Sequence, residues 1–275
     1  MTAESPAPSR RPTAVDAIAE EFVRDLVALD PAAATSMGLP GHDDRLPDYS
    51  PEGWQARAES TRATLARLER AQREDDVDDV TIAAMRERLG IEVELADAGE
   101  WQRALNVLAS PMQGIRDVFD LMDTHSAQDW EVIAARLAAV PSALAGFGAS
   151  LREAAGRGQA PAIRQVRACI RQAEELAVPG SFFDTFTAGA RPGGASPQPG
   201  LAARLEEGAA DARRAYGEFA RMLKDELAPR AAERDAVGRE RYELWSRYFL
   251  GAAVDLGETY EWGQHELAEI IAEQE

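Results

Sequence analysis

The segment "YEWGQHELAEIIAEQE" contains His265-Glu266-Leu267-Ala268-Glu269, one residue type away from the H-E-x-x-H pattern. In that pattern, residues i and i+4 share a helix face and reach one zinc, while the Glu at i+1 polarises the bound water. Here Glu269 stands at the second ligand position, and a carboxylate is a competent zinc ligand. The helical step, about 100° per residue, argues against a catalytic helix. It sets Glu261, His265, Glu269 and Glu273 along one side, with Glu258 and Glu266 flanking. Tyr260, Gly263, Leu267, Ile270 and Ile271 fall on the other side. The ligand positions therefore lie on an acidic stripe.

Other candidate chemistry is sparse. The remaining histidines are His42 and His125, and none of the three has an acid three residues before it, so E-x-x-H pairs of di-iron bundles are absent. His42 lies in "GHDDRLPD" with Asp43, Asp44 and Asp48; short acidic loops of this kind are usually held by Asx turns. Cys169 is the single cysteine, which excludes an intrachain disulfide and fits a reducing cytoplasm. Its neighbours Ile163, Val166 and Ile170 make it a small core residue rather than a nucleophile. Lys224 is the single lysine, and no G-x-x-x-x-G-K-[ST] loop is present. G-x-S-x-G is missing too. "GFGASL" is a fragment of a nucleotide fingerprint in a helical context and carries no weight. The residues themselves assign no catalytic, metal or substrate-binding position.

These positions need a scaffold, and 275 residues with 45% apolar and 28% charged composition are enough to build one. The formal charge of −18 repels nucleic acid and anionic lipid. No run approaches the ~20 uninterrupted apolar residues of a membrane span. The pattern is helical almost throughout, predicting an all-α class with about nine or ten helices. Ile18, Phe22, Leu26 and Leu29 form one stripe between Pro12 and Asp30-Pro31. An irregular link follows to Trp54, and Ser50-Pro51 caps the next helix, whose apolar side continues through Leu65 and Leu68. "EDDVDD", residues 74–79, lacks the spacing of a calcium loop and reads as a solvated turn whose acids face a helix N-terminus. Pro141 marks a hinge between two helices. Residues 178–200 form the longest irregular stretch, in which Phe182, Phe183 and Phe186 should pack on the body and the Gly/Pro-rich second half should stay mobile. Residues 1–13 read as a disordered tail, and 14–275 as a single helical domain.

Three segments in order, "DPAAATSMGLPGHDDRLPDYSPEG", "RLAAVPSALAGFGASLREAAGRG" and "VGRERYELWSRYFLGAAVDLGETYEWGQHEL", resemble the bacterial "domain of unknown function 885" family, and the likeness runs from about Ala14 onward. That resemblance implies a helical zinc-peptidase-like protein of about twice this length, with its metal-binding His-Glu segment further downstream. It implies that this chain is the N-terminal half only, one wall of a peptidase-like cleft, inactive alone. Zinc would belong to a missing C-terminal half, and no catalytic role passes to His265, Glu266 or Glu269. Gly238, Glu240 and Tyr242 match a G-x-E-x-Y element of the family, with a packing or groove-lining role. The expected partners are the chain's own C-terminal half, a second copy or a peptide, with no nucleic acid and no membrane. The alternative is a stand-alone helical protein- or peptide-binding domain without enzymatic activity. The final helix has no Gly or Asn C-cap and ends in acids that oppose its dipole, as a chain cut before its catalytic half would.

Overall fold

A computed structural model describes residues 10–274. They fold almost entirely as α-helices: α1 (Ala14–Leu29), α2 (Pro31–Met37), α3 (Pro51–Arg70), α4 (Asp76–Asp97), α5 (Pro111–Asp117), α6 (Ala127–Gly156), α7 (Ile163–Ala177), α8 (Phe182–Ala188), α9 (Pro199–Met222), α10 (Arg239–Leu250) and α11 (Leu256–Gln274). The class is all-α as expected. Among the described residues there is no strand, only one parallel bridge between Ala162 and Ala232.

Helix α6 is the centre of the larger core. Ile133, Leu137, Val140, Leu144, Phe147 and Leu151 are all buried, because α5, α9 and the Trp101 turn pack around it. Leu205, Ala209, Ala212, Tyr216 and Phe219 give α9 the facing stripe, and Phe219 stacks on Phe147 at 5.7 Å between centroids. Val166, Cys169 and Ala173 turn the apolar stripe of α7 onto α9. Burying such side chains contributes roughly 1.5–3 kcal/mol each. The expected hinge at Pro141 is not formed: α6 runs unbroken for 30 residues. Proline removes one backbone donor, but buried residues on both sides of it hold the helix axis. By length and composition α6 could also cross a membrane; half of its most apolar window is buried in this fold.

A second, smaller core of Val15, Ile18, Leu68 and Ile82 joins α1, α3 and α4. Thr13 and Asp16 form a capping box at the start of α1. Arg10 binds Asp75 and Asp78, both at 2.5 Å, so residues 10–13 of the expected tail are tied to the body; the rest of that tail lies outside the described residues. Asp78 corrects the reading of 74–79 as solvated. It is fully buried and accepts hydrogen bonds from the Thr13 hydroxyl (2.7 Å) and the Glu74 amide (2.9 Å).

Two short helices occupy stretches read as irregular. Asp30 caps α2 by accepting from the Ala33 amide at 3.0 Å. In 178–200, α8 carries Phe183 fully buried against Phe119 and Tyr216, with Phe182 and Phe186 half-buried beside it. Ser50 caps α3 as expected, accepting from Gly53 at 3.1 Å. Gly53 is required there because a Cβ would lie 2.2 Å from the Asp48 carbonyl oxygen.

Candidate functional site

The elements that carry surface rather than core are α10 and α11, neither of which has a buried residue. Gly238 opens α10 and Gly251 closes it in the left-handed conformation. α10 is held to the body by charge. The Glu100 side chain is wholly buried and accepts from Arg241 Nη2 at 2.7 Å and Trp245 Nε1 at 2.9 Å, with Arg103 as a third donor. Burial alone raises the Glu100 carboxyl, but donation from Arg241, Arg103 and Trp245 outweighs it, and the group sits below the usual glutamate range. One turn along, Arg247 bridges Glu87 and Glu94 of α4, each at 2.8 Å.

Aromatic rings fill the same joint. Trp101 stacks on Trp54 at 6.1 Å and meets Trp245 and Tyr248 edge-on at 5.4 and 5.8 Å. Guanidinium groups cover two of these rings: Arg57 lies 4.2 Å over Trp54, and Arg88 lies 5.0 Å over Tyr248. The outer side of α10 leaves Tyr242, Phe249 and Leu250 exposed. On α11, Tyr260, Leu267, Ile270 and Ile271 are also exposed, each by about half or more of its surface. The apolar side of α11 therefore faces solvent instead of the body.

His265 lies on the opposite, acidic side, with Nε2 3.2 Å from Glu269 Oε1 and both side chains exposed. Glu258, Glu261 and Glu273 are exposed on the same helix, and Glu266 is half-exposed. His42 is half-buried, its Nδ1 2.8 Å from Arg45. His125 is exposed, and its carbonyl accepts from the Gly193 amide at 2.7 Å. Among the described residues no group of three or more His, Cys, Asp or Glu is placed to hold a metal ion. The Cys169 thiol is buried, donates to the Asn106 carbonyl at 3.3 Å and is pushed up to about 11 by burial. Glu240 and Tyr242 of the G-x-E-x-Y element are exposed on α10, and no peptidase-like cleft is evident among the described residues.

Sequence reading missed two organising residues. Arg136, fully buried in α6, donates to the carbonyls of Arg45 (2.9 Å) and His42 (3.2 Å) and to the Thr35 hydroxyl (2.9 Å). Burial pulls its guanidinium below the usual arginine range. A lone cation inside "WEVIAARLAAV" was the available signal. Glu100 followed the apolar end of α4 in the same way, one acid at the edge of a buried stretch.

The fold is similar to that of a putative lipoprotein from Colwellia psychrerythraea, with a TM-score of 0.77 at 13% identity. The match covers 94% of this chain and 50% of that one, so the chain spans half the length of the protein it resembles. No curated protein matches the chain. The family described as "Bacterial protein of unknown function (DUF885)" matches residues 31–275. That span corrects the expectation of an N-terminal half only: the family pattern fits nearly the whole sequence as one unit. No zinc-bearing half is evidenced by that match, and the metallopeptidase character drawn from the resemblance finds no ligand group among the described residues. By this match, the chain belongs to the bacterial DUF885 family.

Proposed function

We propose that this chain is a helical protein- or peptide-binding domain without enzymatic activity, docking its partner on the outer face of α10 and α11. The observation that carries the reading is the stripe of Tyr260, Leu267, Ile270 and Ile271, apolar and exposed along one helix. Large contiguous apolar patches on soluble proteins mark interaction sites. Tyr242, Phe249 and Leu250 of α10 add exposed apolar surface, and the Glu100 and Arg247 ion pairs hold that helix in place. Glu261 and Glu266 flank the stripe, Glu258, Glu269 and Glu273 lie on the opposite face, and His265 is the only basic side chain in α11. A partner helix with an apolar face and lysine or arginine flanks complements this chemistry. A second copy of the same acidic helix meets like charge, which disfavours self-association through α11.

The test is a titration with two leucine-rich amphipathic peptides, one flanked by lysine and one by glutamate. The expected outcome is saturable binding of the lysine-flanked peptide, weakened by salt and lost in an Ile270→Asp/Ile271→Asp variant whose melting temperature is unchanged. Equal binding of both peptides, or binding that survives the double substitution, overturns the reading. Light scattering at several concentrations separates the remaining case, in which a second copy covers the face.

A further inference from the structure

A separate cavity of about 350 Å³ opens between α1, α3, α4 and the Trp101 turn. Its apolar walls are Phe22, Leu26, Trp54, Leu89 and Trp101. Phe22 and Leu26 belong to the apolar stripe of α1; only the start of that stripe, at Ile18, is buried in the smaller core. Phe22 and Leu26 face this space. Its volume lies at the small end of the roughly 300–1,000 Å³ typical of small-molecule sites.

The charges around it are unusual for this protein. Arg57 and Arg88 both line the cavity, and neither has an ion pair among the described residues. In a chain of net charge −18, partly buried arginines elsewhere reach a carboxylate: Arg103 and Arg241 reach Glu100, Arg247 reaches Glu87, and Arg213 reaches Asp184, whereas Arg57 is partly buried and reaches none, and Arg88 is exposed. Arg57 spends Nη2 on the Asp48 carbonyl and lies over the Trp54 ring, leaving Nε without an acceptor. Trp54 Nε1, on the same wall, is also buried without an acceptor. Arg88 spends Nη1 on the Tyr248 carbonyl at 2.6 Å. The Arg57 Nε and Trp54 Nε1 nitrogens carry almost no accessible surface, but the Arg57 and Arg88 side chains line an apolar space, the setting in which a carboxylate head with an apolar body pairs with a guanidinium.

Two carboxyl groups limit the charge such a ligand can carry. Asp30 and Glu92 also line the cavity. Asp30 is engaged as the cap of α2. Glu92 is half-buried, with Arg88 and Tyr248 nearby. A dianion such as a phosphate monoester meets both of them, whereas a single carboxylate can sit on the arginine side. We infer that this cavity binds a monocarboxylate with an apolar body, its carboxylate between Arg57 and Arg88 and its chain against Phe22, Leu26 and Leu89.

Tryptophan fluorescence and thermal melting of the full chain test this with octanoate, octan-1-ol and octylamine. Octanoate should saturate the signal and raise the melting temperature. Octanol should bind about tenfold more weakly, the loss expected for one charge-assisted hydrogen bond, and octylamine not at all. Arg88 is exposed and outside the core, so Arg88→Gln should fold normally. It should weaken octanoate about tenfold while leaving octanol unchanged. Thr61→Phe, which fills the cavity from α3, should abolish both. Equal binding of octanoate and octanol, an unchanged octanoate affinity in Arg88→Gln, or no octanoate binding to the folded chain overturns the proposal. The site is independent of the α11 surface: octanoate binding should persist in the Ile270→Asp/Ile271→Asp variant.

Discussion

At the residue scale, Glu100 decides whether α10 belongs to the body. A carboxylate with no solvent exposure is tolerable only because Arg103, Arg241 and Trp245 all donate to it. Glu100→Gln keeps the shape and removes the charge, stranding two arginines. We expect a loss of about 3 kcal/mol, the low end for breaking a buried pair, because Arg241 is one-third exposed. Chemical denaturation followed by Trp245 fluorescence would measure it. The pH dependence has a definite sign. The Glu100 pKa is depressed in the folded state, so its contribution is complete above the unfolded value near 4.5 and is lost as pH falls through the lower folded value. Acid titration should therefore release α10 below about pH 4.5, and in Glu100→Gln that part of the transition should vanish.

At the element scale, the α6–α9 crossing depends on a missing side chain. A Cβ at Gly208 would lie 2.9 Å from Leu137 Cβ. Both residues are buried, so neither can swing out to solvent. Gly208→Ala should cost roughly 1–3 kcal/mol by overpacking, despite the better helix propensity of alanine, and thermal unfolding would report it. This scale also shows what was legible beforehand. The long amphipathic helices could be read because a stripe such as Val166, Cys169 and Ala173 repeats at helical spacing. The cap at Ser50 and the end of α1 at Asp30-Pro31 were visible for the same local reason. The unbroken passage of α6 through Pro141 was not, because tertiary packing offsets a local penalty. Helices α2 and α8 were missed because seven residues are too few to show a period. Of the candidate sites, the acidic stripe of α11 was readable by wheel. The cavity was not, since Phe22, Arg57 and Arg88 come together only when three helices pack.

At the scale of the whole molecule, stability is uneven. The α6–α7–α9 core has extensive apolar burial, whereas α10 is attached through a few ion pairs and rings, and α11 has no buried residue. Hydrogen exchange should show it: the amides of α11 should exchange first, those of α10 next, and those of α6 and α9 only with global unfolding. A lysine-flanked peptide bound at the proposed surface should slow α11 alone. Similar protection across all helices would contradict this ranking.

Arg136 carries a consequence for the order in which the chain can take shape. Its guanidinium is the meeting point for carbonyls of the 38–48 loop, and the Arg45 carbonyl lies 91 positions earlier in the chain. During synthesis that loop has no cation to gather around until the ribosome has added those residues, roughly 5–20 seconds at ordinary translation rates. The first quarter of the protein therefore emerges before the side chain that completes it. A stalled nascent chain ending before residue 136 should leave the 38–48 loop open to protease, and one extended far enough to expose α6 outside the ribosomal tunnel should close it.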